Sequence, residues 1–259
     1  MSNDHDAYRP AEIAALIEGA GVAKARLPLG QMLTLAVLAG AFISLGAAAY
    51  LMVMTGADMG FGPQRLLGGA VFSLGLILVI VGGAELFTGN ALMVMAAVDG
   101  KISLRALMRN WGVVYLGNLV GAVGVAVAIG LTGLLDGPLG EVAGKVALAK
   151  ATGSALPWLV KGALCNALVC LAVWLTFSAR DTTGKILAIL WPISAFVLLG
   201  LEHSVANMFF LPLAMLAGAE VPLTGALGNL VWVTLGNVLG GAGGVAMAYR
   251  YAYLGGKGS

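Results

Sequence analysis

The chain has 259 residues, 60% of them hydrophobic and only 10% charged, with a formal net charge of +2. Soluble domains carry about 25% charged residues, so a water-soluble enzyme is excluded, and so is a disordered chain. The small net charge gives no electrostatic footprint for a nucleic-acid partner.

The mean hydropathy is +0.97, and the 39 glycines suit closely packed membrane helices. The first 28 residues include Asp4, Asp6, Glu12, Glu18, Lys24 and Arg26. They hold no apolar core of the length a cleavable signal peptide needs. Pro10 suits a first helical turn, and Ile13, Leu16, Ile17 and Ala20 then share a face at helical spacing. The spacing predicts a short amphipathic helix, lying on the membrane surface or against the protein.

Charge-poor stretches follow at Leu29–Thr55, Leu66–Val98, Asn110–Leu135, Gly162–Ala179, Ile186–Ala219 and Val221–Tyr249. A spanning helix needs about 20 residues. Four stretches fit one span each. The second and fifth are too long, since roughly 30 residues or more of continuous helix would run to about 50 Å against a hydrocarbon core of about 30 Å. Each also carries acid: Glu85 in the second, and Glu202 beside His203 in the fifth. Both are therefore expected to be broken helices, interrupted at Gly82, Gly83 or Gly89 and at Gly200 or Pro212. Cys165 and Cys170, five apart in one apolar stretch, suit neither a disulfide framework nor a zinc site. They read as small buried apolar side chains.

Basic residues give the orientation. Arg9, Lys24, Arg26, Lys101, Arg105, Arg109, Arg180, Lys185, Arg250 and Lys257 fall on one side, and Arg65, Lys145 and Lys150 on the other. The positive-inside rule places the first side, with both termini, in the cytoplasm, and the chain in the cytoplasmic (inner) membrane. Lys161 sits where its stem can snorkel to the outer interface. Trp111, Trp158, Trp191 and Trp232 lie near span ends, as in interfacial belts.

The two broken stretches echo each other. Gly83-Ala-Glu85-Leu-Phe-Thr-Gly-Asn90 matches Gly200-Leu-Glu202-His-Ser-Val-Ala-Asn207 in Gly, Glu and Asn, 117 residues apart. Leu116-Gly117-Asn118 with Gly121 recurs 119 residues later as Leu235-Gly236-Asn237 with Gly240. Two echoes at nearly one offset predict an internal duplication of three spans each. Three is odd, so the second copy enters the membrane from the opposite side. Inverted repeats with broken helices in matching positions mark a transport pathway near the midplane. The expected fold is all-α, with six transmembrane helices in two inverted three-helix repeats. The expected boundaries are 1–28 for a cytoplasmic amphipathic segment, 29–134 and 157–254 for the repeats, 135–156 for an outer connection and 255–259 for a cytoplasmic tail.

These motifs carry a resemblance. Phe72-Ser-Leu-Gly-Leu76 with Ala84-Glu-Leu-Phe-Thr-Gly-Asn90, and Gly200-Leu-Glu-His-Ser-Val-Ala-Asn-Met208, resemble the second- and fifth-helix signatures of the formate/nitrite transporter family. The resemblance covers essentially the whole membrane region. It implies an aquaporin-like protomer, a homopentamer and one substrate pore per protomer. By matching position it implies that Thr88 faces His203 across the pore centre. Phe72, Leu76, Phe87 and Phe196 match constriction positions, and Asn207 and Glu202 match residues that support the histidine. Lys150 matches a basic vestibule residue, and Asn237 a polar position on the sixth helix. The second-helix region is more similar to formate channels. Lys161-Gly-Ala-Leu-Cys-Asn166 and Asn229-Leu-Val-Trp-Val-Thr-Leu-Gly-Asn237 are more similar to nitrite channels. Hydrosulfide and lactate are also handled within the family.

Each polar residue also has a plainer reading. His203 is either a pore group that titrates near neutral pH or a bond between helices. As a pore group it supplies a positive field or shares a proton with the anion. Glu85 and Glu202 would repel anions if they faced a pore. They are expected instead to accept backbone N–H groups freed at the helix breaks. Phe72, Leu76, Phe87 and Phe196 serve either as core packing or as rings that exclude hydrated ions, and Lys150 as a vestibule group or a solvated loop charge.

The leading expectation is thus a membrane channel or transporter for formate and related small monovalent anions, without cofactor or metal, and not an enzyme. A rhomboid-like protease needs a Ser nucleophile in a Gly-x-Ser-Gly context and a histidine on another helix. Ser44 and Ser73 lack the first Gly, and Ser204 adjoins His203 on one segment. One histidine with two scattered acids makes no metal cluster. An aquaporin-type neutral-solute channel would carry Asn-Pro-Ala motifs, which are absent.

Overall fold

A computed structural model describes residues 7–56 and 58–255. Asp4, Asp6 and Lys257, read above for charge, lie outside the described residues, as does the expected tail apart from Gly255. The described chain is helical. Helix α1 (Pro10–Ala25) precedes the first span, α2 (Leu29–Gly56). Helix α3 (Phe61–Gly82) stops inside the apolar stretch, and a 3-10 segment (Gly89–Met93) and α4 (Val94–Val98) complete it. Helix α5 (Leu104–Gly130) and the surface helix α6 (Pro138–Ala151) lead to α7 (Ala155–Ser178). Helix α8 (Thr182–Leu198) is broken from α9 (Ser204–Leu216). Helix α10 (Leu223–Val238) widens into a π turn (Leu239–Ala246) before α11 (Met247–Leu254). Among the described residues, five continuous helices, at Leu29–Gly56, Phe61–Gly82, Leu104–Gly130, Ala155–Ser178 and Leu223–Leu254, are long and apolar enough to cross a membrane.

Both breaks fall at glycine. Gly83 has φ +82° and Gly200 φ +67°, a region that L side chains adopt at a cost. Pro212, a candidate breaker by sequence, sits inside α9. The absence of a ring-blocked donor at Gly200 leaves its N–H free to close on Val197 O at 3.0 Å.

Helix α1 lies against the protein. Ile13, Ala14 and Ile17 are buried against Ala91, Leu92, Met95 and Trp174. Leu16, expected on the same face, is 40% exposed. Ion pairs from Lys101 to Glu18 and from Arg250 to Asp99 tie α1, the turn after α4 and α11 together.

The halves run in opposite directions. One cavity is walled by Lys24 and Leu27, just before α2, and by Phe177 and Ala179 at the end of α7. Another is walled by Tyr50 near the end of α2 and by Lys161 near the start of α7. The counterpart helices α2 and α7 therefore start at opposite cavities. Matched residues also touch. Tyr115 Oη and Thr234 Oγ1 share a hydrogen bond of 3.0 Å, and Ser73 Oγ donates to Leu190 O at 3.4 Å. Counterparts in contact must lie on the axis that exchanges the halves.

Glycines set the spacing in both copies. A Cβ on Gly121 would stand 2.0 Å from Val37 O, and one on Gly240 1.9 Å from Ala163 O. Neither carbonyl has room to withdraw, because each belongs to a spanning helix. Gly124, on the same helix as Gly121, faces open space. Gly121→Ala is expected to lower stability by about 1–3 kcal/mol, whereas Gly124→Ala produces no loss. Thermal unfolding of the purified protein in detergent compares the two. Equal midpoints would show that the α2–α5 contact is not close-packed.

Candidate functional site

Breaking a helix frees backbone groups that must be satisfied inside the protein. In the first half the side chain of Asn118 does this: Oδ1 accepts from Phe87 N–H at 2.9 Å, and Nδ2 donates to Glu85 O at 2.9 Å and Ala36 O at 2.8 Å. In the second half Asn237 repeats it. Its Oδ1 accepts from Ser204 N–H at 2.9 Å, and Nδ2 donates to Glu202 O at 3.0 Å and Gly162 O at 2.8 Å. Asn237 is fully buried, with both amide groups engaged in holding the break. It lines neither cavity named above.

The two acids do not cap the breaks, contrary to the expectation from sequence. Asn118 and Asn237 take those N–H groups, and each carboxylate instead meets a lysine and an asparagine. Lys24 Nζ donates to Glu85 Oε1 at 2.5 Å, and Asn90 Nδ2 to Glu85 Oε2 at 2.8 Å. Lys150 Nζ donates to Glu202 Oε2 at 2.9 Å, and Asn207 Nδ2 to the same oxygen at 2.7 Å. Each of these asparagines also donates to a further one, Asn90 to Asn110 Oδ1 at 2.8 Å and Asn207 to Asn229 Oδ1 at 2.7 Å. These chains neutralise both buried acids, which unpaired would be expensive at membrane depth. Lys24, Asn110 and Asn229 were not among the site residues expected from sequence. Asn110 and Asn229 share the 119-residue offset of Asn118 and Asn237, and that was the available signal.

Lys150 is not a solvated loop charge. It occupies the last turn of α6, with its side chain 14% exposed and its ammonium 5.4 Å from the Phe210 ring centre. Lys24 occupies the last turn of α1, so α1 and α6 play the same part in the two halves.

Thr88 and His203 come together. Each precedes a helical segment of its broken stretch, and Thr88 Oγ1 lies 2.9 Å from His203 Nε2. His203 Nδ1 accepts from Ala206 N–H at 3.1 Å and so caps α9. A nitrogen that accepts a hydrogen bond carries no proton, so the neutral ring bears its proton on Nε2 and donates it to Thr88. Charging the ring would place a proton on Nδ1 and forfeit the cap. The side chains of Glu202 and Asn207 are not the hydrogen-bond partners of the imidazole, which are Thr88 and Ala206. Their part is the ion-pair chain and the turn, where Asn207 N–H donates to His203 O at 3.0 Å.

The apolar candidates flank this contact. Phe72 and Phe196 meet edge to face at 5.4 Å, and Phe196 stacks on His203 at 6.1 Å. Both wall a cavity of about 320 Å³ that also holds Arg65, Lys145, Lys150, Lys161 and Glu202. Leu76 walls the opposite cavity, of about 580 Å³, with Lys24, Lys185 and Glu85. Phe87 lines neither cavity and packs on Tyr115 at 4.9 Å and Trp111 at 6.1 Å. Thr88 is fully buried between the two cavities.

Known proteins resemble this chain along most of its length. The profile of the formate/nitrite transporter family matches residues 11–251. An uncharacterized transporter of Bacillus subtilis (strain 168) is 45% identical over 249 residues, covering 95% of this chain and 93% of its own. A probable formate transporter of Methanothermobacter thermautotrophicus is 42% identical, covering 95% and 97%. A solved pentameric formate channel with formate bound superposes with a TM-score of 0.81 at 40% identity, covering 87% of this chain and 98% of that one. A chain that the family profile matches over residues 11–251, with relatives more than 40% identical along nearly its whole length, belongs to the formate/nitrite transporter family.

Proposed function

We propose that the protein is a channel for formate and related small monovalent anions, with one pathway through each protomer. The observation that carries this reading is the Thr88–His203 contact, made by opposite halves between two cation-lined cavities. An anion enters past Arg65, Lys145, Lys150 and Lys161, whose four charges outnumber the single Glu202. Phe72 and Phe196 then strip water and reject hydrated ions. At the centre the anion accepts from Thr88 Oγ–H and His203 Nε2–H, and the N-terminal ends of two helical segments add positive dipoles. It leaves past Leu76 toward Lys24 and Lys185. Phe87 acts from behind the wall by fixing the Thr88 turn. Glu202, Asn207 and Asn237 shape the pathway by holding the broken helix and the Lys150 ammonium in place.

On this reading His203 acts as a neutral donor, because its cap to Ala206 opposes a proton on Nδ1. Nitrite has the same charge and similar oxygen acceptors, and the family's description names both anions. Initial uptake rates of each into proteoliposomes decide between them. We assign the repeats to 29–134 and 157–254, the outer connection to 135–156 and the cytoplasmic segments to 1–28 and 255–259. The membrane is the cytoplasmic one by the distribution of basic residues. A homopentamer is the proposed assembly, on the precedent of the pentameric formate channel.

Two outcomes test the chemistry. Asn is a good helix cap and offers an amide N–H, so His203→Asn should keep measurable formate uptake while His203→Leu loses roughly tenfold or more. If a positive ring is required, both variants fail alike. Lys150→Met strands Glu202 and should cost about 3–5 kcal/mol, and Lys150→Met with Glu202→Gln should recover most of that. Thermal unfolding in detergent measures the recovery, and its absence would mean that the pair is not coupled.

A further inference from the structure

The two halves share one hydrogen-bond plan, and the second copy departs from it at a π turn. The π turn Leu239–Ala246 interrupts the second copy, whereas its counterpart α5 stays α-helical to Gly130. π turns are rare and are frequently found at functional positions. This one packs on the 3-10 segment that follows Thr88. Beside it Asn166 of α7, fully buried, donates from Nδ2 to Asn237 O at 2.6 Å and to Thr88 O at 3.2 Å. Cys170 Sγ, one turn further along α7, also reaches Thr88 O at 3.5 Å.

The first half has no such clamp. The counterparts of Asn166 and Cys170, 126 residues earlier, are Gly40 and Ser44. Ser44 spends its hydroxyl on Gly40 O at 2.8 Å. The space left by Gly241 faces the clamp itself. A Cβ there would stand 2.4 Å from Asn166 Nδ2, 2.8 Å from Ala91 Cβ and 2.9 Å from Cys170 Sγ. Gly121 and Gly240 admit a neighbouring helix backbone, but Gly241 admits side chains that hold the Thr88 segment. What the second half adds, against the duplication, holds a residue that only the first half carries, since the counterpart of Thr88 is Val205.

We propose that the π turn, through the space at Gly241, seats Asn166 so that its amide holds the Thr88 carbonyl and sets the Thr88 hydroxyl against His203. Gly241 and Asn166 are positioning residues that line neither cavity. This rests on the reading of Thr88 and His203 as the point where the anion is held. Its consequence is size selection. A Thr88 turn released from the clamp withdraws its donor from formate and opens the centre to a larger carboxylate.

The test compares formate and acetate uptake into proteoliposomes, at matched protein content and verified oligomeric state, for Gly241→Ala, Asn166→Ala, Gly243→Ala and Thr88→Val. Gly243 faces open space, so its variant controls for the π turn itself. In Gly241→Ala and Asn166→Ala, formate uptake should fall roughly tenfold, the scale of one buried hydrogen bond, and the acetate-to-formate ratio should rise several-fold. Gly243→Ala should leave both unchanged. Loss of folded protein lowers both rates together and leaves the ratio alone. A changed ratio in Thr88→Val with unchanged ratios in Gly241→Ala and Asn166→Ala would overturn the positioning role alone. An unchanged ratio in Thr88→Val would overturn the underlying reading of the centre, and the positioning role with it.

Discussion

A helix that stops inside a bilayer leaves backbone groups that water cannot reach, and everything at the centre of this protein depends on how those groups are satisfied. The answer is one asparagine per half. Asn118 and Asn237 each supply an acceptor and a two-pronged donor from a neighbouring helix, so a broken segment is held by one rigid side chain and not by solvent. This leaves the carboxylates of Glu85 and Glu202 free to hold Lys24 and Lys150. The lysine positions, the cavity charge and the approach of Thr88 to His203 all follow from breaks held in this way.

Duplication explains the economy of the design, and departures from it bring Thr88 against His203. The ion-pair chains, the glycine contacts and the asparagine clamps occur twice. Thr88, His203, Asn166 and the π turn occur once. An inverted pair builds two similar cavities facing opposite ways. Only an added asymmetry puts a hydroxyl from one half against an imidazole from the other. The cavities differ too, with four cationic side chains lining one and two the other.

Much of this was legible in the sequence because it is local or periodic. The excess length of two apolar stretches, the acid within each, and the echo of Gly83-Ala-Glu85 in Gly200-Leu-Glu202 lead directly to broken helices in two copies. What stayed hidden depends on separate helices meeting. Lys24 and Glu85 are 61 residues apart and Lys150 and Glu202 are 52 apart, so no spacing rule joins them. The acids looked like caps because N–H groups near a break need acceptors. That role fell to asparagines that sequence placed only as an echo or as a polar position. The π turn has no signature of its own, since Gly240 and Gly241 read as any small-residue contact. It becomes visible only once Asn166 is seen beside it.

The central claim is that an anion is held between Thr88 and a neutral His203. The chain has two histidines, so His5→Gln leaves His203 as a single probe. Solid-state NMR of that protein in lipid, with 15N-labelled histidine and 13C-labelled formate, reads both the proton on the ring and the distance to the anion. The expected result is a proton on Nε2, none on Nδ1, and dipolar transfer from formate to Nε2 over about 4 Å or less, the reach of a hydrogen-bonded oxygen and its carbon. A doubly protonated ring, or a bound formate that shows no transfer to either nitrogen, would contradict it.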